Sequence, residues 1–169
     1  MSAKATDESR AVRDLLESEG HGVLATIESR PSAYPFGSIT PYALSTDADP
    51  ILLLSEIAEH AKNLRRDPRA SLFVADSRAA ADPQAGARVT VLGRAEPAGE
   101  RETAALRDAY LERFPRAAGY FDAHAFTIFV LRVERVRWIA GFGSMGWLER
   151  ADLAPPAPAR KAARPRGPR

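Results

Sequence analysis

The residues best suited to chemistry in this chain are Ser55, His60 and Lys62, which follow one another within the segment 51–74. Residues 51–55 are typical of a buried strand, and the polar stretch after them is typical of a short helix. Hydroxyl, imidazole and ammonium groups beside a helix start suit a phosphate, because the first N–H groups of a helix are unpaired and its dipole favours anions. The segment therefore predicts a site for a phosphorylated cofactor. The alternative is that the same side chains cap and solvate a surface helix.

The elements that must position this segment are mainly short strands. An apolar stripe predicts a first helix over 6–19, and Gly20 is placed to end it. Alternation then predicts a hairpin over 22–28 and 33–44, in which Pro35 and Pro41 require an open edge or a bulge. Further strands are predicted over 51–55, 70–75, 88–96, 126–133, 135–140 and 143–148, with a second amphipathic helix over 100–114. Many short strands with few helices indicate a small antiparallel barrel.

Length and composition describe one globular domain. The chain has 169 residues, of which 45% are hydrophobic, enough for a single core. It contains no cysteine, which excludes disulfides, thiolate metal sites and cysteine nucleophiles. His21 and His124 stand alone beside small residues, so the sequence predicts no metal site.

The distribution of charge argues against a nucleic-acid partner, although the pI is about 9.2. Residues 151–169 hold five basic residues and one acidic residue, so the remaining 150 residues carry 19 basic and 21 acidic ones. The basicity therefore belongs to the end of the chain. We predict a folded domain over 1–150 and a disordered, Pro/Ala/Arg-rich tail over 151–169.

The sequence contains no feature that directs the chain to a membrane or out of the cell. The first residues are charged and helical in pattern, without the apolar segment of a signal peptide, and no later apolar run approaches the length of a membrane span. We therefore predict a cytoplasmic location and no membrane partner.

Six short blocks carry a resemblance to a known family. They are GVLAT from 22, YPFGS from 34, LSEIAEHAKNL from 54, DPRASL from 67, RVTVLG from 88 and GFGSMGW from 141. In this order and spacing they resemble the FMN-binding split-barrel superfamily that includes pyridoxamine 5'-phosphate oxidase, and within it the haem-utilisation, HugZ-type branch. The resemblance implies a mainly β fold, a six-stranded antiparallel split β-barrel of Greek-key type. It also implies a homodimer with FMN bound in two grooves at the subunit interface.

The same resemblance implies a set of cofactor-binding residues. They are Ser38, Ile39, Thr40, Leu54, Ser55, His60, Lys62, Asn63, Arg88, Gly141, Phe142 and Gly143. The first three would run beside the flavin as strand backbone, and Arg88 would reach it across the dimer. No side chain in the set is implied as a catalytic acid or base.

Two residues depart from the pattern of the family. Glu59 stands where the oxidases carry a cationic phosphate ligand, and a carboxylate there repels phosphate unless it turns to solvent or pairs with a nearby lysine or arginine. Ala61 replaces a hydroxyl residue that is common in the haem-utilisation branch. Both changes are expected to weaken phosphate binding.

Three functions are compatible with these residues. The leading hypothesis is an FMN-dependent oxidoreductase acting on an unidentified small molecule or electron acceptor. The second is haem binding or degradation; the haem-utilisation proteins carry an additional C-terminal domain and a histidine-bearing tail, whereas this sequence ends in a His-free Pro/Arg segment. The third is a flavin-free interaction module.

Trp138 and Trp147 are expected to bury apolar area in the barrel or at the dimer interface.

Overall fold

The fold is known from a computed structural model that describes residues 3–122, 125–141 and 143–153. The described residues form strands and helices with two 3₁₀ turns, at Ser77–Ala79 and Pro115–Ala117. The main elements, in chain order, are α1 (Ala3–Ser18), β1 (His21–Ile27), β2 (Pro35–Leu44), β3 (Pro50–Ser55), α2 (Glu59–Arg66), β4 (Arg69–Ala75), β5 (Ala87–Pro97), α3 (Glu100–Arg113), α4 (Ala118–Asp122), β6 (Phe126–Ala140), β7 (Met145–Glu149) and α5 (Arg150–Leu153).

The strands form one antiparallel sheet in the order β3-β2-β1-β4-β5-β6-β7. β3 also pairs with β6, from Ile51 opposite Val130 to Ser55 opposite Phe126, so the first six strands close into a barrel. β1, β2 and β3 are consecutive hairpins and β4 returns to lie beside β1, which is the Greek-key order. The predicted six-stranded antiparallel barrel is confirmed, and β7 is a further strand on the edge of β6.

One long strand takes the place of two predicted ones. The sequence predicts separate strands over 126–133 and 135–140, whereas β6 runs unbroken from Phe126 to Ala140. Leu92 of β5 faces Arg135 while the next residue, Gly93, faces Val133, so Glu134 is an extra, bulged residue. The bulge interrupts the alternation of side chains, which is why the sequence indicates two strands.

The bulge at Glu134 exchanges the two faces of β6. Before it, odd-numbered residues such as Phe129 point into the barrel, and after it the even-numbered Val136 and Trp138 do so. Arg135 and Arg137 consequently lie on the outer side of the sheet, Arg135 exposed and Arg137 partly buried.

The barrel is split because β3 and β7 share one edge of β6. β3 pairs with residues 126–130 of β6, and β7 pairs with residues 135–139. β2 pairs with β3 only through residues 42–44, so in the described part of the chain residues 35–41 pair with β1 alone. We call residues 35–41 the open edge of β2. Pro35 and Pro41 lie at its two ends, as expected for residues that cannot donate to a ladder.

Two apolar cores hold these elements together. The barrel interior includes Leu24, Leu52, Leu72, Val91 and Phe129, none of which is exposed. α1 closes one end of the barrel, where the Tyr42 hydroxyl donates a hydrogen bond of 2.8 Å to the Leu16 carbonyl oxygen. A second core, in which α3 covers the outer side of β3 and β6, is built from Ala43, Ile51, Leu106, Tyr110, Ala117, Ile128 and Val130.

α5 packs against α1 at the closed end of the barrel. The Ser9 hydroxyl donates to the Asp152 carbonyl oxygen, Arg13 Nη2 donates to the Leu153 carbonyl oxygen at 2.6 Å, and Leu153 belongs to the barrel core. Residues 154–169, most of the predicted tail, lie outside the described residues, as does His124. None of the helices described is both long and apolar enough to cross a membrane.

A buried carboxylate connects β3, β6 and α5. Asp49 precedes β3 and its side chain is 3% exposed. Its Oδ1 accepts a hydrogen bond of 2.9 Å from the Val133 N–H, next to the bulge. Arg150 donates to both oxygens of the carboxylate, and Arg132 Nη1 lies 3.6 Å from Oδ2.

Candidate functional site

The turn between β3 and α2 is held by Glu56, the residue after the end of β3. Its carboxylate accepts hydrogen bonds from the hydroxyl of Thr127 and the guanidinium of Arg65. Both bonds, chiefly the one from Thr127, lower the pKa of the Glu56 carboxyl. The Ala58 N–H donates to the Ser55 carbonyl oxygen at 3.0 Å. The helix that follows therefore begins at a fixed position after the strand.

His60, in the first turn of α2, is held by Ser38 of β2. The Nδ1 atom of His60 lies 3.2 Å from the Ser38 Oγ. Burial lowers the pKa of His60 from its ordinary value of 6.5, so the ring is neutral at pH 7. A neutral imidazole has one N–H group and one lone pair, and Nε2 is left as the second polar atom of this ring.

The Ser38–His60 pair lies where β2 has its open edge. Three apolar side chains that are close to this pair in sequence are exposed: Tyr34 by 71%, Ile39 by 73% and Ile57 by 78%. Neighbouring exposed apolar side chains are typical of surfaces that bind a partner or a ligand. Ile39 points to the opposite face of β2 from Ser38, because side chains alternate along a strand, and so belongs to the outer face of the sheet.

The cations of α2 already have acceptors within the chain. Lys62 Nζ lies 3.8 Å from Glu59 Oε2, and Arg65 pairs with Glu56. Arg66 Nη1 donates to the Ser29 carbonyl oxygen at 2.6 Å. Lys62 thus offsets the negative charge of Glu59, but its own charge is then shared between that carboxylate and any phosphate.

The start of α2 offers a phosphate backbone N–H groups, the ring of His60 and a share of the Lys62 charge. Ala58, which precedes the helix, is extended, with φ −71° and ψ 145°, and makes no side-chain capping hydrogen bond. The N–H groups of Ala61 and Lys62 donate to the Ala58 carbonyl oxygen, so among the described residues those of Glu59 and His60 remain for an anion. Because Glu59 is the first residue of the helix, its carboxylate opposes that attraction.

Asn63 has a structural role. Its side chain is fully buried, its Oδ1 accepts from the Ser29 N–H at 2.8 Å, and its Nδ2 donates to Thr26 Oγ1 at 3.0 Å. These bonds fasten α2 to the end of β1 and to the loop after it. The amide that the family resemblance assigns to a cofactor is therefore directed into the protein.

Replacing Asn63 with alanine is expected to lower the free energy of unfolding by about 2 kcal/mol, because the Ser29 N–H loses its acceptor and the buried Thr26 Oγ1 loses its donor, keeping a hydrogen bond of 3.4 Å to the Phe36 carbonyl oxygen. Urea unfolding measures the change. Gln84→Ala removes an amide from an exposed loop residue and is expected to stay within about 0.5 kcal/mol of the unmodified protein. Equal midpoints for the two variants would contradict the structural role of Asn63.

Thr40 and Leu54 are likewise directed inward. Their exposed fractions are 2% and 1%, so only their backbone is available to a ligand. Thr40 Oγ1 is buried and has no hydrogen-bond partner among the described residues. Ser55, at the end of β3, is partly exposed.

Within the described ranges, no three His, Asp or Glu side chains come together as a possible metal site.

The remaining predicted residues that the structure describes are Arg88, Gly141 and Gly143. Arg88 is on β5, separated from β2 by β1 and β4, and its Nη1 donates to the carbonyl oxygens of Gln84 at 2.9 Å and Gly86 at 3.0 Å. Gly141 and Gly143 have φ values of 89° and 88° and turn β6 into β7. Phe142 lies outside the described residues. In the described part of the chain, the side chain of His60 is hydrogen-bonded to Ser38 and to none of these three residues.

A row of side chains crosses the outer face of the sheet. The strand register places Ile39, Val23, Phe73, Thr90, Arg137 and Trp147 side by side across β2, β1, β4, β5, β6 and β7. We call these six residues the outer row. Ile39 is 73% exposed, Val23 41%, Phe73 40% and Trp147 50%. A groove of about 300 Å³ lies beside its first three residues.

Sequence analysis did not single out the arginines next to Trp147. The Cζ atoms of Arg135 and Arg137 lie 4.9 Å and 5.6 Å from the centroid of the Trp147 ring. Trp138 is buried in the barrel, as expected, whereas Trp147 is half exposed. The spacing of the two arginines on one strand and of Trp147 on the next was the available signal, but the bulge at Glu134 concealed it.

The model of the CREG β-barrel family matches residues 3–154. This chain belongs to the CREG β-barrel family. The match includes every element of the barrel, and the kinship with split barrels that the sequence predicts is confirmed.

Several relatives of this CREG-type barrel are known. The chloroplastic noncanonical heme oxygenase HOZ of Arabidopsis thaliana is 33% identical over 132 residues, which are 77% of this chain and 39% of that protein. A heme binding protein from Mycobacterium smegmatis is 37% identical with a TM-score of 0.80, over 90% of this chain and 61% of that one. A Clostridium acetobutylicum protein of the pyridoxinephosphate oxidase family is 14% identical with a TM-score of 0.64, over 90% of this chain and 99% of that one, and so shares the fold. The chain spans less than two thirds of the length of the first two relatives.

Proposed function

We propose that this chain is a haem-binding protein that acts as a homodimer, with His60 as the ligand of the haem iron. The observation that carries the proposal is the contact of 3.2 Å between His60 Nδ1 and Ser38 Oγ, which holds the imidazole at the open edge of β2. The names of the Arabidopsis thaliana and Mycobacterium smegmatis relatives refer to haem, which adds support. Haem thereby replaces FMN as the leading cofactor.

The residues around His60 fit a haem group. A neutral histidine is a common iron ligand, and a hydrogen bond to its other ring nitrogen fixes the tautomer and the orientation of the ring. Ile57, 78% exposed and three residues before His60, suits the apolar face of a macrocycle. Bound haem would supply redox chemistry at its iron, while the chain supplies the ligand, its orientation and an apolar setting.

The outer row supports the homodimer. Its first three residues, Ile39, Val23 and Phe73, are adjacent exposed apolar side chains, and such a patch is typical of an interface. Two copies of one chain pair most simply about a two-fold axis, which uses the same surface on both. The expected species in sedimentation is a dimer.

Titration with haemin tests the function. We expect the purified protein to give a saturable Soret band, and His60→Ala to shift the band and weaken binding at least about tenfold, since it removes the iron ligand. His21→Ala is the matched control, because His21 is an exposed histidine of β1. A loss of binding in His21→Ala and not in His60→Ala would contradict the assignment.

FMN is the second candidate, favoured by the uncapped start of α2. In that case the protein would be an FMN-dependent oxidoreductase, with the phosphate held by the first N–H groups of α2 and by Lys62. The same preparation is titrated with FMN while flavin fluorescence is followed. Saturable quenching of FMN with no response to haemin would favour this candidate, and no response to either would favour a flavin-free interaction module.

A further inference from the structure

A polar cleft of about 540 Å³ lies between α1 and α3. Its lining comes from these two helices, from the end of β2 and from the turn that follows β2. Neither Ser38 nor His60 lines it. The cleft is therefore separate from the site proposed for haem, and we call it the α1–α3 cleft.

Two arginines of the α1–α3 cleft have their guanidinium groups held in place. Arg13 Nη2 donates to the Leu153 carbonyl oxygen at 2.6 Å, and Arg113 Nη2 donates to the Glu19 carbonyl oxygen at 2.7 Å. The Arg113 Cζ atom also lies 5.8 Å from the centroid of the Tyr42 ring, within cation–π range. A guanidinium group has several N–H donors, so one bond to a carbonyl oxygen leaves donors on each arginine for an anion.

Two glutamates line the same cleft. Glu17 lies one helical turn after Arg13 on α1, and Glu112 precedes Arg113 on α3. Both glutamates are exposed. In the part of the chain that the structure describes, none of these four side chains lies within 4.0 Å of an opposite charge. Two positive and two negative groups are therefore available to a ligand in one cleft.

The end of β2 adds a hydroxyl group and a small apolar surface to the cleft. Ser45 Oγ accepts a hydrogen bond of 3.0 Å from the Asp49 N–H, which fixes the oxygen, and its O–H group remains a donor. Ala43, Leu44 and Ala109 are the apolar residues of the lining. The charged groups of the cleft thus lie beside a surface that can accept an apolar side chain.

The composition of the cleft defines the class of ligand that it suits. Guanidinium groups bind a carboxylate by charge-assisted hydrogen bonds, and carboxylates bind an ammonium group in the same way. The two glutamates would repel a simple anion, and the two arginines would repel a simple cation. A small zwitterion with an apolar body satisfies both pairs of charges. A free α-amino acid has this chemistry.

We infer that the α1–α3 cleft binds a free α-amino acid with an apolar side chain. Arg13 and Arg113 hold its carboxylate, and Glu17 and Glu112 hold its ammonium group. This inference goes beyond the proposed function, because it gives the chain a second ligand at a site that does not include His60.

Isothermal titration calorimetry with L-leucine tests the site. We expect saturable binding of one leucine per chain. Isocaproate is leucine without its amino group, and isoamylamine is leucine without its carboxylate. Each should bind at least about tenfold more weakly than leucine, because one pair of charged side chains is left unmatched. The absence of saturable heat with leucine, or an equal affinity for either analogue, would overturn the inference.

The variant E17Q/E112Q removes both negative charges of the cleft from exposed side chains, so the fold is expected to persist. It should bind leucine at least about tenfold more weakly and isocaproate no more weakly than the unmodified protein does. E134Q/E149Q is the matched control, since it loses the same charge from two exposed glutamates that do not line the cleft. Its affinity for leucine should be unchanged.

Titration of H60A with leucine separates this inference from the proposed function. His60 does not line the cleft, so H60A should bind leucine as the unmodified protein does, whatever happens to the Soret band. Loss of leucine binding in H60A would assign leucine to the site of His60 and overturn the inference. Equal leucine binding by E17Q/E112Q and the unmodified protein would overturn it while leaving the haem proposal in place.

Discussion

Replacing Asp49 with alanine is expected to lower the free energy of unfolding by about 3 kcal/mol, because the change removes a buried carboxylate and leaves the Val133 N–H without an acceptor. Arg132 and Arg150 are 43% and 39% exposed and can turn to solvent, so the unpaired N–H and the lost ion pairs account for most of the loss. Urea unfolding of the apoprotein measures it. Asp49→Asn keeps an oxygen for Val133 and should lose less.

Glu96→Ala is the matched control for Asp49→Ala. Glu96 is 51% exposed and pairs with Arg94 at 3.3 Å on the surface, where an ion pair contributes about 0–1 kcal/mol. If the two alanine variants unfold at the same urea concentration, the buried carboxylate contributes no more than a surface pair, and its role in joining β3, β6 and α5 is refuted.

Replacing Gly93 with alanine is expected to be similarly harmful, at about 3 kcal/mol. Gly93 lies in β5 opposite the bulge, and a Cβ atom there would overlap the carbonyl oxygen of Arg132. Backbone on both strands would have to move, since the obstructing atom does not belong to a flexible side chain. The loss appears in thermal and urea unfolding.

Gly20→Ala provides the comparison for Gly93. An added Cβ at Gly20 has no heavy atom within 4 Å, so this variant should stay within about 0.5 kcal/mol of the unmodified protein. If the Gly93→Ala and Gly20→Ala proteins have the same free energy of unfolding, β5 and β6 can move apart at the bulge without loss of stability, and the prediction is wrong.

Local signals in the sequence were sufficient to predict the barrel. Alternating residues and prolines at the ends of an edge indicated the strands, and the six family blocks implied that they form a six-stranded antiparallel barrel. The continuity of β6 could not be predicted, because the extra residue at Glu134 breaks the alternation and its pairing with β5 is a long-range event. Local patterns record which residues are apolar, but not how two distant strands align.

The candidate site was predicted as a set of residues and not as a geometry. Sequence analysis named both Ser38 and His60, but their contact depends on the position of α2 against the open edge of β2. Asn63 was assigned to a cofactor on the family pattern, although its amide is used within the protein. The pairing of Glu59 with a nearby cation was one of the possibilities stated from the sequence, and Lys62 is that cation. The partners of Arg65 and Arg66 were hidden, since each depends on a turn of the backbone that a linear pattern does not record.

The bulge in β6 makes the length of this strand more critical than the identity of any residue in it. Loss of a single codon at position 134 would leave every other amino acid unchanged, yet it would invert the pleat for the rest of the strand. Two guanidinium groups would then be turned toward the hydrocarbon interior, and an indole would be turned out to water. In this part of the chain, a one-residue deletion should be tolerated less readily than most substitutions. Related proteins should therefore keep the length of this strand even where its residues differ.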